Sequence, residues 1–365
     1  MLPYLGSHYG NPSSLHRYGR RSERALRQGR LQIAGIVNAS PAEILITSGA
    51  TESNNTAISG AAALHPGGHI ITSAIEHDAV LEPCARLESA GFSVSYVPVG
   101  GDGIIDPDDV QRAVTDRTFL ASVMLANNEV GTVQPISEIS RICREHGILL
   151  HTDAVQAVGK ISVDVNRLGV DMLSMSSHKI NGPKGVGALY IRSGVRIMPM
   201  ILGGGQEGGM RSGTENVAGV VGFGKACQMA RDDARRLHMM QLRDLLVEMV
   251  LKEIPYTTYN GNRNQRIPDN AHFTFLGVSG EDLIIKLDEE GIAASTGSAC
   301  SIRTQKESHV LRAMGLDHEH ITGSLRLTVG VHNTRQEMVQ AAGALKKVVA
   351  QLRAVSPFKE KYRFG

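Results

Sequence analysis

Residues 175–185 read MSSHKINGPKG. An apolar run, MLSM (172–175), ends on Ser176, Ser177, His178 and Lys179, and Lys184 follows in a turn rich in glycine and proline. An ammonium group at the end of a buried strand is costly unless something there uses it. A lysine amine in that position can form a Schiff base with an aldehyde. Asp153, in HTDAVQAVGK (151–160), also follows a buried run, with Gln156 shortly after it. A carboxylate there costs energy unless it meets a cation. In TSGATESNN (47–55), Ser48, Gly49, Ala50 and Thr51 open a helix directly after a strand. The free N–H groups and dipole of such a helix start suit a phosphate. His77, in SAIEHDAV, puts a ring just past a strand, and Asn127 and Asn128, in ANNEVGT (126–132), follow the strongest apolar run. Each has a plainer reading: a capped helix start, a histidine cap, turn asparagines, and a solvated Lys184.

Taken together, a lysine, an acid, a stacking ring and a phosphate-ready helix start suggest pyridoxal phosphate. An acid such as Asp153 keeps the pyridine nitrogen protonated and the ring an electron sink. Ser176 and His178 then join the phosphate site beside Lys179.

Cys84, Cys143 and Cys227 lie at helical spacing among apolar residues and read as core fillers. Cys300 differs. It sits in ASTGSACSIRTQKESH (294–309), a polar loop with Arg303, Lys306 and His309 nearby. Basic neighbours favour the reactive thiolate, although an incidental exposed cysteine would look the same. Arg326, in SLRLTVGV, interrupts an alternating strand with Leu325 and Leu327 facing the other way. It could clamp a substrate carboxylate or simply face solvent. GGGQEG (203–208) matches GxGxxG, but Pro199 precedes it and no β-α-β unit follows, which argues against a dinucleotide site. A mobile loop lining a site or an interface fits better, with Thr214 available to a phosphate.

The elements that must position these residues alternate. Strand-like runs fall at 43–48, 69–74, 93–99, 118–126, 148–154, 172–177 and 187–192, with helical stretches near 50–63, 78–90, 106–115 and 135–146. Nearly continuous apolar strands imply a sheet covered on both faces, and repeated β-α units imply a mainly parallel one. Ligands then bind at the carboxyl ends of the strands. The expected fold is α/β: a large domain with a mainly parallel seven-stranded sheet flanked by helices, and a smaller α+β C-terminal domain. Past residue 200, a long helical pattern runs from Glu215 to about Lys252 and is ended by Pro255. Short strands (271–277, 325–331) and helices near 280–290, 308–314 and 334–354 follow. The boundary falls near residue 235, giving domains 1–235 and 236–365.

The 365-residue length favours two domains. A net charge of +2, with basic and acidic residues mixed along the chain, gives no reason to expect nucleic acid or an anionic membrane. No apolar stretch is long enough to span a bilayer. Four scattered cysteines without a CxxC pair point to a reducing, cytoplasmic setting, and histidines without HExxH spacing leave a metal site unsupported.

With TSGATES, ANNEVGT, HTDAVQAVGK, SSHKINGPKGVGALY, MRSGTEN and STGSAC, the chain resembles the cysteine desulfurases of the NifS and IscS kind. These are fold-type I pyridoxal-phosphate enzymes of the class V aminotransferase group. The likeness runs from GNPSSLHRYG (10–19) to LRAVSP (352–357). It implies Lys179 as the Schiff-base lysine, Asp153 as partner of the pyridine nitrogen, Gln156 on the ring hydroxyl and His77 stacked on the ring. Ala50, Thr51, Ser176 and His178 would hold the phosphate, with Thr214 supplied by the other subunit of a homodimer. Asn128 and Arg326 would orient the substrate, and Cys300 would accept sulfur. Family members usually begin with an additional strand that helps close the active site, whereas this chain starts at MLPYLGSHYGNPSS. The implied reaction converts L-cysteine to L-alanine. Lys179 removes the Cα proton, a base such as His77 deprotonates the substrate thiol, and a persulfide forms on Cys300. The sulfur would pass to an acceptor protein, such as an iron–sulfur scaffold, or to tRNA thiolation. The rivals are a selenocysteine lyase or aminotransferase on the same fold, and a non-enzymatic scaffold or regulatory subunit.

Overall fold

The computed structural model describes residues 1–296 and 307–357. They fall into two compact units. The first comprises Met1–Val97, Asp106–Ala126 and Gln134–Asp232; the second comprises Pro98–Ile105, Asn127–Val133 and Asp233–Gly365. A single cut near residue 235 does not anticipate that two short segments of the first half join the second unit.

In the first unit the apolar runs become β1 (Ile44–Thr47), β2 (His69–Ser73), β3 (Ser93–Val97), β4 (Thr118–Ser122), β5 (Leu149–Asp153), β6 (Met172–Ser176) and β7 (Gly187–Ile191). They form one seven-stranded sheet in the order β1-β7-β6-β5-β4-β2-β3. Pairing is parallel from β3 through β6, while β7 is antiparallel to both β6 and β1. β1 therefore runs the same way as β6, and every strand except β7 puts its carboxyl end on one edge. Helices Ala50–Ala62 and Asp78–Ser89 bring Ala57, Ile58, Val80 and Cys84 onto Leu45, Ile70, Leu120 and Leu189. That cover is why the strands read as unbroken apolar runs.

Helix Arg17–Ile36, which the sequence analysis leaves unassigned, packs on helix Val217–Ala230. The approach is close: a Cβ on Gly29 would come within 2.8 Å of Val220 Cγ1. The pattern read as one helix from Glu215 to Lys252 is two, Val217–Ala230 and Asp233–Glu253. The first buries Val220, Phe223 and Cys227; the second buries Leu242, Leu246 and Val250 in the core of the second unit. The break falls where the chain passes from one core to the other.

In the second unit β9 (Asn270–Phe275) lies between β8 (Thr257–Tyr259) and β10 (Ser324–Thr328), antiparallel to both. Helices Asp233–Glu253, Gly280–Glu289 and Arg335–Ala354 close a core around Phe273, Phe275, Leu325 and Leu345. Segment 127–133 joins this unit through Arg266, which lies 4.0 Å over the Tyr259 ring and donates to the carbonyls of Val130 and Asn260. Asn270 Nδ2 adds a 2.8 Å bond to the Glu129 carbonyl.

Candidate active site

The carboxyl edge of the large sheet gathers most of the residues singled out by sequence. Gly187, the first residue of β7, pairs with Thr47 at the end of β1 and with Ser176 at the end of β6. The two strand ends therefore lie level, with one glycine between them. A Cβ on Gly187 would come within 2.7 Å of the Gly49 backbone, so glycine there lets the 48–51 segment fold over towards Ser176. Helix Ala50–Ala62 starts at that point, and its N-cap Gly49 offers no side-chain acceptor. Thr51 is exposed, and Ala50 and Gly49 are half-buried. Ser176 Oγ and His178 Nδ1 are 2.8 Å apart. Burial lowers the His178 pKa, and the charges of Lys179 and Lys184 lower it further. An uncapped 13-residue helix, hydroxyls at its mouth and nearby cations make a donor set that fits a phosphate.

Lys179 lies in the 3-10 turn Ser177–Ile180 directly after β6. The turn is fixed at its base: Ser177 N donates to Val186 O, and Gly182 N donates to Ser177 O at 3.0 Å. Asn181 leaves it in the left-handed region at φ 65°. The Lys179 and Lys184 side chains are exposed.

Asp153 ends β5, the parallel neighbour of β6, and pairs with Ser174. It is 6% exposed. Val155 N donates to its Oδ1 at 3.0 Å and Asn54 Nδ2 to its Oδ2 at 2.7 Å. Leu125 N, continuing the β4 line, donates to its carbonyl at 2.9 Å. A carboxylate held this rigidly is suited to a fixed cationic partner such as a pyridinium N–H. Gln156 is half-buried, and its Oε1 accepts from Lys160 Nζ at 2.9 Å. His77 is the N-cap of helix Asp78–Ser89, and its Nδ1 accepts from Ala79 N at 3.0 Å. The capping geometry and a functional ring thus coincide in one residue. With Nδ1 occupied as acceptor, the neutral ring carries its proton on Nε2.

The glycine-rich stretch, read from sequence as a mobile loop, is tied down. Glu207 receives two bonds from Arg30, at 2.5 and 2.8 Å, and a third from Ile46 N at 3.0 Å. Arg211 Nε donates to Glu52 Oε1 at 3.0 Å, in the first turn of helix Ala50–Ala62. Burial opposes ionisation of Glu52, but the bonds from Arg211 and Ser48 hold its carboxyl below the usual range. Thr214 follows this anchored stretch and is exposed.

Asn128 and Arg326 belong to the second unit. Leu325 and Leu327 enter its core, and half-buried Arg326 points the other way. Its Nη1 donates to Asn128 O at 2.8 Å. Burial lowers the Arg326 pKa, opposed by the charges of Glu129 and Asp269. Asn128 Oδ1 is shielded from solvent without a hydrogen-bond partner among the described residues, which marks it as open to a ligand. Cys300 lies outside the described residues. The flanking positions are fixed: Ser295 pairs with Arg326 through its backbone, and Ser308 Oγ donates to Glu129 Oε2 at 2.5 Å. Cys84, Cys143 and Cys227 are all buried. Burial pushes the Cys84 and Cys143 thiols up to about 12 and Cys227 still higher. Among the described residues no group of three or more His, Cys, Asp or Glu is placed to hold a metal ion.

Asn54 and Glu76 were missed by sequence reasoning. Asn54 directly follows the TSGATES motif and gives no signal beyond helical spacing; Glu76 directly precedes His77.

The family model described as Aminotransferase class-V matches residues 1–341. A protein of Dictyoglomus turgidum, named cysteine desulfurase IscS, is 48% identical over all of this chain and 94% of its own length. One of Methanosarcina thermophila, with the same name, is 47% identical over 99% of this chain and 90% of its own. Among solved structures, a NifS-like protein superposes with a TM-score of 0.90 at 36% identity, covering 96% of this chain and 94% of that one. SspA, solved in complex with cysteine, gives a TM-score of 0.81 at 36% identity, covering 91% and 94%.

Proposed function

We infer the function from descent: the chain belongs to the aminotransferase class-V family, among the cysteine desulfurases, and converts L-cysteine to L-alanine while retaining the sulfur. The observation that best supports the site is the level row of Thr47, Gly187 and Ser176, which brings an uncapped helix start beside the Lys179 turn. Ala50, Thr51, Ser176 and His178 hold the phosphate of pyridoxal 5'-phosphate, with Thr214 reaching the site of a second subunit. Asp153 holds the ring nitrogen, Gln156 the ring hydroxyl, and His77 stacks on the ring. Bound pyridoxal phosphate supplies the electron sink for the charge left at Cα.

Lys179 would hold the cofactor through its aldehyde, and its amine, when free, takes the Cα proton of cysteine. Asn128 and Arg326 hold the substrate, Arg326 by its carboxylate. The thiolate of Cys300 attacks the substrate sulfur. The carbon–sulfur bond breaks with its electron pair left on carbon; Cβ takes a proton to become the methyl group of alanine, and Lys179 returns a proton to Cα. Cys300 keeps the sulfur as a persulfide. To accept a proton from the substrate thiol on Nε2, His77 must first release its cap to Ala79 N and shift its own proton to Nδ1.

The enzyme works as a cytoplasmic homodimer that passes the persulfide sulfur to an acceptor protein of the iron–sulfur scaffold kind. No helix among the described residues is long and apolar enough to cross a membrane. The test is direct: incubate the yellow protein with L-cysteine and a reductant, then measure alanine and sulfide. Equal amounts of both support the reading. Alanine without sulfide, appearing only when pyruvate is supplied as amino acceptor, would make the chain an aminotransferase.

A further inference from the structure

Asn54 is wholly buried in helix Ala50–Ala62. Its Nδ2 donates to Asp153 Oδ2 at 2.7 Å, while its Oδ1 is shielded and has no hydrogen-bond partner among the described residues. A half-satisfied amide is a poor core filler; leucine would occupy the same space without an unpaired acceptor. The one thing this amide does that an apolar side chain could not is donate to Asp153. An aspartate at position 54 would place an acceptor against an acceptor. The Asp153 carboxylate is thereby gripped from two elements, the helix through Asn54 and the following turn through Val155 N.

A second buried carboxyl sharpens the need. Glu76 is fully buried, and its Oε1 accepts from Ser73 Oγ at 2.5 Å and from Met124 N at 2.9 Å. Burial pushes its carboxyl up to about 8, and the charge of Asp153 adds to the push. Burial favours the neutral form of Glu76, and the amide donor of Asn54 suits a carboxylate acceptor at Asp153.

We propose that Asn54 is a positioning residue of the cofactor site, its amide orienting Asp153 and keeping it an acceptor for the cofactor ring nitrogen. This rests on the reading of Asp153 given above. The grip is legible as chemistry: a hydrogen bond to the charged form favours that form, so its loss raises the proton affinity of Asp153 and draws the ring proton towards it.

The test compares Asn54→Leu, Asn54→Asp and Asp153→Asn, each loaded with pyridoxal 5'-phosphate, by following the visible absorption band against pH and by measuring cofactor dissociation. Asn54→Leu should move the pH midpoint of the band in the same direction as Asp153→Asn but by less. It should also weaken cofactor binding by about tenfold, the lower end of what loss of a ligand-orienting partner costs. Asn54→Asp keeps the shape of the side chain, and its cofactor should be lost progressively as pH rises and both carboxyls ionise. Wild-type midpoints and pH profiles in folded Asn54 variants, alongside a shifted Asp153→Asn, would overturn the role of Asn54. An unshifted Asp153→Asn would instead remove the ring-nitrogen reading, and the role of Asn54 with it. Should Asn54→Leu fail to fold, the Asn54→Asp profile decides by itself.

Discussion

Arg326 donates through Nη1 to the main-chain carbonyl of Asn128 at 2.8 Å, and the backbone of the same Arg326 pairs with Ser295. One strand residue thus fixes the asparagine loop with its side chain and the start of the Cys300 segment with its main chain. Glu129, next to Asn128, holds Ser308 at the far end of that segment. A guanidinium has donors to spare after one such bond, and its planar fork suits a carboxylate.

Arg326→Ala should therefore raise KM for cysteine by about 10- to 100-fold, the equivalent of ~1.5–3 kcal/mol for a hydrogen bond to a charged group. Cofactor content should stay at the wild-type level. Arg326→Lys keeps the charge but loses the fork, so it should recover only part of the loss. Steady-state kinetics with matched cofactor occupancy decide this; an unchanged KM in Arg326→Ala would refute a carboxylate role.

The two lysines of the opening motif should separate cleanly. Lys179 follows β6 directly in a turn fixed by Val186 and Gly182, whereas Lys184 sits in the exposed stretch beyond it. Lys179→Ala should abolish the visible band of lysine-bound cofactor and all alanine formation. Lys184→Ala should keep both and, by removing one of the charges that lower the His178 pKa, let it rise. Absorption spectra and a histidine NMR titration read the two outcomes.

Glu76 predicts the pH dependence of stability. Its folded pKa is raised from 4.5 to about 8 because it is buried, with the Asp153 charge adding to the shift. Between those values the folded protein keeps a proton that the unfolded chain has released. Stability should therefore fall as pH rises through that window, by at most about 1.4 kcal/mol per pH unit. Above the folded pKa this contribution levels off. Glu76→Gln preserves an acceptor for Ser73 and Met124 N, so it should flatten the slope and be the more stable protein at the alkaline end. Urea titrations at several pH values check it; parallel slopes in both proteins would contradict the assignment.

Placement at a strand end was legible in the sequence. Asp153, Ser176 and Lys179 stand out because apolar runs make their polarity conspicuous, and the parallel alternation fixes their common edge. Sequence reading failed where the cause is distant. Asn54 looks like any helix asparagine until Asp153, 99 residues on, is seen to accept from it. Segment 127–133 joins the second unit through Arg266 and Asn270, and nothing local to ANNEVGT announces that. Helix Arg17–Ile36 was legible but overlooked: Leu26, Ile33 and Ile36 form its buried stripe amid many arginines. The anchored glycine loop was misread because its glycines suggest freedom, while Glu207 supplies the anchor.

That anchor gives a stability prediction. The Glu207 side chain is 4% exposed and is neutralised by Arg30. Arg30→Met would leave a buried carboxylate facing only Ile46 N, at a cost of about 3–5 kcal/mol. Adding Glu207→Gln to that variant should recover part of the loss, because the charge left behind is then gone. Denaturation midpoints of the two single variants and the double variant would show this non-additivity, and simple additivity would place the pair outside the fold's energetic core.

The final prediction separates the thiols. Cys84, Cys143 and Cys227 are buried with raised pKa values, so thiolate chemistry at neutral pH is closed to them. Replacing each by alanine should leave activity intact and cost about 1–2 kcal/mol of stability through the small cavity left behind. Cys300→Ala should keep the cofactor and its spectral response to cysteine, yet form neither persulfide nor alanine. Mass spectrometry after a single addition of cysteine should find one extra sulfur, on the peptide that contains Cys300. Sulfur on any of the three buried cysteines, or full alanine production by Cys300→Ala, would mean that the substrate carbon–sulfur bond is broken without the attack proposed for Cys300.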